Sequence, residues 1–395
     1  MALSAHFYVH PWDLYDIGVE IALDRILEVG VGGLVLAMAH PTLCAVSPMN
    51  PFRTVYYSED GAVYFHPQSS FYSWTPMKAK ASRETEDPEY IFFLMEQIRA
   101  RKMTTWAWLQ YGWNNRLARE HPRSARVDAF GNPHIAQMSP SSRNFRLYCQ
   151  GMTEDLLEAL DPDSVVVEGL GYYPWDHGLP NRQALVSLTP YQAFLLSLDF
   201  SDGVASIARK YQVPIDDLQG QIAAYLQNAL RREPTEEERN QEVTEKFLED
   251  KFDGLLSRYL VAREAAASLL LENVCRQVRG RKKPVTYAGS TDPLETGLDL
   301  FRVRKTVDRY LVKLTDDVRE LEEAVRSLRE RILPSSEIIA RVDPSDYPSE
   351  DGLVMTLKAM REHGVQGFAF YNFGLLRPLH LKWLETAREI WEGEG

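Results

Sequence analysis

Residues Ser164-Val165-Val166-Val167-Glu168-Gly169-Leu170-Gly171-Tyr172-Tyr173-Pro174-Trp175-Asp176-His177 decide the fold. Three successive β-branched residues specify a buried strand, and a carboxylate ends it. A continuous apolar run of this kind suits a parallel strand covered by helices. An acid at its exit costs desolvation energy unless it is paired or used. A loop rich in glycine and aromatic residues follows at once. In barrels of parallel strands the active site lies at these exits, so Glu168 is the first candidate.

Working outward, strand-like and helix-like segments alternate. Strands are expected at Ala5–Val9, Gly33–Met38, Thr104–Leu109, Pro284–Ala288, Tyr310–Leu314, Glu337–Val342 and Val365–Tyr371. Helices are expected at Ile17–Glu28, Pro88–Lys102, Ser142–Leu160, Pro293–Val303, Asp316–Arg331, Gly352–His363 and Pro378–Trp391. The segment from His40 to about Glu86 is too long for a simple connector, which points to function or an added β-hairpin. With the Val165 strand, this gives eight strands, each followed by helix. The doubly wound open sheet competes, but no glycine-rich phosphate loop follows the first strand. The expectation is a (β/α)8 TIM barrel with a helical insertion between strands 4 and 5. Residues 1–198 make its first half, 199–279 the insertion, and 280–395 the second half.

A chain of 395 residues with 45% hydrophobic and 25% charged residues matches a soluble globular protein. The net charge of −12 disfavours nucleic acid and anionic membrane as partners. No apolar run reaches the ~20 residues of a membrane span, and no secretory signal precedes Asp13. Cys44, Cys149 and Cys275 show no paired spacing, which fits a reducing cytoplasm, and each is expected as a small buried core residue. The stripe Leu218, Ile222, Tyr225 and Leu226 in the insertion would either pack on its own barrel or support a homo-oligomer. Thr235 and Glu238 form a capping box.

Four further acids follow predicted strands. Asp292 precedes Pro293 and Glu295 as a helix N-cap, and Asp316 and Asp317 open the next helix. Asp343 has no capping duty, and alternation places it on one face with Arg341. Arg341 would hold it ionised. Two carboxylates at a barrel mouth are the minimum for glycoside hydrolysis: one protonates the leaving oxygen, the other attacks the anomeric carbon or activates water. Trp12, Trp106, Trp108, Trp113, Trp175, Tyr172, Tyr173 and Tyr371 lie at or beyond strand ends, where aromatic faces suit pyranose rings. His6, Tyr8 and His10 share one side of the first strand. His40, Asn372, Asp176 and His177 complete a polar ring. That ring could instead ligate a divalent metal with Glu168 and Asp343, but no HxH or HExxH spacing supports it.

The segments Met138–Tyr148 and Asp163–Gly169 resemble a stretch of glycoside-hydrolase-like barrels, related to amylase-type and family-10-like glycosidases. In those proteins an arginine-bearing helix precedes a strand that ends in an acid. The resemblance matches Arg146 to that arginine and Glu168 to the acid. An amylase-type nucleophile would have an arginine two residues before it, whereas Val166 stands there. Arg341-Val342-Asp343 replaces the amylase His-Asp pair. An acid/base after strand 4 with a nucleophile after strand 7 fits Glu168 and Asp343 better.

The expected function is a cytoplasmic glycosidase or transglycosidase that needs no cofactor. Glu168 is the acid/base and Asp343 the nucleophile or base, with Asp292 and Asp316 as alternatives to Asp343. His6, His10, His40, Trp108, Arg146, Tyr172, Trp175, Asp176, His177, Arg341 and Asn372 would bind carbohydrate. Metal-dependent sugar isomerase or aldolase chemistry is the alternative, as is a carbohydrate-binding barrel without catalysis.

Overall fold

The structure is a computed structural model that describes residues 3–393 except 86, 180 and 182, so the expected loop end near Glu86 lies outside the described residues. Eight parallel strands form its centre. They are β1 (Ser4–Val9), β2 (Gly33–His40), β3 (Thr104–Gln110), β4 (Ser164–Glu168), β5 (Val285–Ala288), β6 (Arg309–Lys313), β7 (Glu337–Val342) and β8 (Gly367–Phe370). Neighbours in chain order pair in parallel, and β1 pairs with both β2 and β8. The sheet therefore closes on itself. This is the (β/α)8 barrel.

Strand sequence explains both surfaces of the wall. Val165 and Val167 point outward to the helices, while Val166 points inward with Trp106, Trp108, Leu311 and Ile339. None of the three valines is exposed, and burying each stabilises the fold by roughly 2 kcal/mol. The bulky inner residues fill the barrel, as a packed interior requires.

Helix ends follow local chemistry. Ser142 accepts from Phe145 N to start the helix Arg143–Leu160, and Asp317 accepts from Arg319 N to start Val318–Arg331. The expected helix Pro293–Val303 is two short ones, Pro293–Thr296 and Leu300–Val303, because Gly297 turns the chain at φ +64°. The long segment after β2 folds a hairpin, Cys44–Val46 against Val55–Tyr57. Cys44 is exposed on that hairpin, which corrects its expected burial, whereas Cys149 and Cys275 are buried.

Between β4 and β5, helices including Pro190–Leu196, Asp202–Ala208 and Ile215–Ala229 enclose a core of their own. Leu218, Ile222 and Leu226 are fully buried in that core, and Tyr225 packs partly buried against it. The helix Leu255–Gly280 serves both parts. Leu256 and Tyr259 join the insertion core, while Leu270, Val274 and Val278 join the core around the barrel. Among the described residues, no helix is long and apolar enough to cross a membrane.

Candidate active site

Glu168 ends β4 and faces a cavity of about 410 Å³ at the C-terminal mouth of the barrel. Tyr8, Asp292, Lys313 and Arg341 also line this cavity. The Trp108 indole N–H donates to Glu168 Oε2 at 2.7 Å. Burial raises the Glu168 pKa above the ordinary carboxylate range, and this outweighs the opposing effects of the Trp108 hydrogen bond and the Arg341 charge. The next residue, Gly169, has φ +75°. A Cβ there would stand 2.3 Å from the Tyr173 hydroxyl and 2.9 Å from Gln110 Oε1. Its absence lets Gln110 donate to the Tyr173 hydroxyl at 2.5 Å, directly beside Glu168.

The opposite wall is built by β6, β7 and β8. Arg341 donates through Nε and Nη2 to the two oxygens of Asp343, each at 3.1 Å. Such a fork fixes direction as well as distance. Lys313 Nζ lies 3.4 Å from Asp343 Oδ2 and 2.7 Å from Asp346 Oδ2. The Arg341 guanidinium sits 4.0 Å over the Tyr371 ring. Asp343 stands behind Arg341 and Lys313, with its side chain 15% exposed. The Tyr8 and Tyr371 hydroxyls are both pushed above the usual phenol range. Burial dominates, and the charges of Glu168 and Asp343 act in the same direction on both. The two carboxyl groups therefore share one pair of tyrosines.

The remaining sequence candidates divide by depth along the strands. His6 is at the N-terminal end of the barrel, not at the mouth. It meets the Thr104 hydroxyl at 3.1 Å and packs against Trp106, and burial with the nearby Arg309 charge lowers its pKa to about 3. His10, His40 and Asn372 are at the mouth but buried. The His10 ring stacks on Trp12, and its Nδ1 lies 3.3 Å from Asn372 Nδ2. The pKa of His40 falls to about 3, chiefly through burial. Arg146 occupies the first turn of an outer helix, and Tyr172 packs under the Arg263 guanidinium at 4.4 Å; neither lines this cavity. Trp175 and Asp176 line a second cavity, and His177 stacks on Tyr173 with ring centroids 4.4 Å apart. Asp292 caps Leu294 N at 2.9 Å, and Asp316 accepts from the Tyr347 hydroxyl at 2.9 Å. Both alternatives to Asp343 thus hold structural hydrogen bonds.

Lys313 escaped the sequence reading. It ends an apolar strand as the inward residue two positions after Leu311, and that spacing is the signal that could have found it. Among the described residues, no group of three or more His, Cys, Asp or Glu is arranged to hold a metal ion.

Solved structures similar to this chain include glycosidases. A β-galactosidase from Halorubrum lacusprofundi superposes with TM-score 0.58 at 11% identity, covering 98% of this chain and 58% of that one. The β-galactosidase of Marinomonas ef1 gives TM-score 0.55 at 9% identity, covering 98% and 59%. The α-L-fucosidase isoenzyme 2 of Paenibacillus thiaminolyticus gives 0.53 at 9%, covering 98% and 49%. The fold is one that glycoside hydrolases use. This chain spans from 49% to 59% of those proteins' lengths. No family model matches its sequence, and no curated protein does.

Proposed function

We propose that the chain hydrolyses or transfers a glycosidic bond, with Glu168 as general acid/base and Asp343 as nucleophile or base. The observation that carries this reading is the opposite environment of the two carboxyl groups. Glu168 is half-buried at the cavity wall and held toward its neutral form, whereas Asp343 lies in the fork of Arg341 with Lys313 beside it. Two carboxyl groups with divergent environments divide acid and base roles between them.

In this reading Glu168 delivers its proton to the leaving oxygen as the bond to the anomeric carbon breaks. Asp343 attacks that carbon or takes a proton from water on the opposite side. Trp108 orients the Glu168 carboxyl. Tyr8 and Tyr371 keep their protons and can donate hydrogen bonds to charge developing between the acids. Of the carbohydrate-binding set, Trp108 and Arg341 lie at this site, while Trp175 and Asp176 extend it outward.

A panel of aryl glycosides, including a β-galactoside and an α-L-fucoside, tests the reading. Turnover that survives a chelator and is lost in Glu168→Gln supports it. Turnover abolished by the chelator, or none on any glycoside, overturns it.

A further inference from the structure

We propose that a cavity of about 300 Å³ in the helical insertion binds the methylated ammonium group of a small organic cation, in exchange for the protein's own Lys251. Its walls include Tyr191, Tyr225, Phe247 and Phe252. The rings meet edge to face. Tyr191 and Phe247 have centroids 5.1 Å apart at an interplanar angle of 90°, and Tyr225 and Phe252 stand 6.3 Å apart at 86°. Tyr191 and Tyr225, at 5.4 Å, join the two pairs. The Lys251 ammonium lies over this corner, 4.2 Å from the Phe247 centroid and 5.7 Å from that of Tyr191. An aromatic face attracts a cation within about 6 Å of its centre, and several faces together select methylated ammonium groups.

Separate elements position these rings. Thr189 caps the helix Pro190–Leu196 through Gln192 N and sets Tyr191 in its first turn. Thr244 accepts from Phe247 N to start the helix Glu245–Leu248. Phe252 holds φ +52° and Asp253 φ +54°, a conformation that bulky side chains rarely adopt. That turn sets Phe252 against Tyr225 of the helix Ile215–Ala229. Two acids also line the cavity, but they do not decide its preference. Glu237 is exposed to water, and Glu238 is bound by Arg232 and by Thr235 N. The ring faces decide it. Among the described residues, this cavity shares no lining residue with the mouth cavity, so its occupancy can be read without turnover.

Calorimetric titration of the whole protein with choline tests the site. The control is the neutral carbon isostere of choline, in which a tert-butyl group replaces the trimethylammonium. Wild type is expected to bind choline saturably, and the isostere at least about threefold more weakly. Lys251→Met removes the internal ammonium and should tighten choline binding by at least about threefold. Phe247→Leu and Tyr225→Leu each remove a ring face while keeping apolar bulk, and should weaken choline binding by at least about threefold. All variants are compared after their melting curves show a folded protein; Tyr225 is only partly buried, so its replacement leaves the insertion core intact. No saturable binding by wild type, equal affinity for the isostere, or unchanged binding in both ring variants overturns the proposal. Unchanged or weaker choline binding in Lys251→Met overturns it as well, because the ligand would then lie elsewhere.

Discussion

The protonation of Glu168 is set by competition at one side chain. Burial favours the neutral acid, and the Trp108 N–H and the Arg341 charge favour the anion, with burial prevailing. A carboxyl whose folded pKa is raised stabilises the fold fully below its unfolded pKa, near 4.5, and that contribution is lost as pH rises through the folded pKa. The Glu168→Gln variant escapes this loss. Its melting temperature relative to wild type should therefore rise as pH increases from about 4.5, as measured by thermal scans across pH. A difference that stays flat across that window would contradict the shift. On the other wall, Arg341→Ala removes both hydrogen bonds to Asp343 and should lower kcat/KM by about 10²-fold. Arg341→Lys should recover only part of the loss, because an ammonium lacks the fork. Steady-state kinetics of the two variants checks this.

At the scale of elements, the loop after β4 is held from outside the barrel. The hairpin Ala125–Val127 with Pro133–Met138 supplies Arg126, His134 and Gln137, which bond to carbonyls between Tyr173 and His177. The Gln137→Ala variant removes hydrogen bonds to the carbonyls of Pro174, which still accepts from His177 N, and of His177, and should cost roughly 1–3 kcal/mol. Denaturant unfolding checks the stability, and KM for aryl glycosides should rise more than kcat falls. The barrel strands were legible because parallel strands buried on both sides are written as apolar runs, as in Val165–Val167. Caps were legible at Asp292, Asp317 and the Thr235–Glu238 box. The hairpin that carries Arg126 was not, since its short strands have mixed polarity and stand outside the barrel sheet. Alternation also gives the face of a residue but not its depth. His6 and Tyr8 point the same way from β1, yet only Tyr8 reaches the mouth cavity. The Cys44 position shows a related limit, because apolar character alone does not tell a core site from a hairpin edge.

Across the whole molecule, the helix Leu255–Gly280 joins the insertion core to the core around the barrel. Leu226→Ala in the insertion should cost about 2–5 kcal/mol. Calorimetry should show it moving the same transition that Leu357→Ala moves, Leu357 being a fully buried residue of the helix Glu350–Glu362 in the core around the barrel. Two separate transitions, with only one displaced, would contradict that coupling. Sheet closure has a second consequence, which matters more for function. It brings Glu168 from β4 and Asp343 from the end of β7 to the same two tyrosines. Sequence spacing located each acid at a strand exit, but only the closed register sets Glu168 in the mouth cavity and Asp343 behind Arg341 and Lys313, which line it. The most direct test is the leaving-group dependence of Glu168→Gln on the sugar that wild type turns over. Loss of the acid should reduce kcat/KM by about 10²–10⁴-fold on a glycoside whose leaving oxygen needs a proton, and far less on the glycosyl fluoride, which departs as fluoride. Equal losses on both substrates, or no loss on either, would contradict the account.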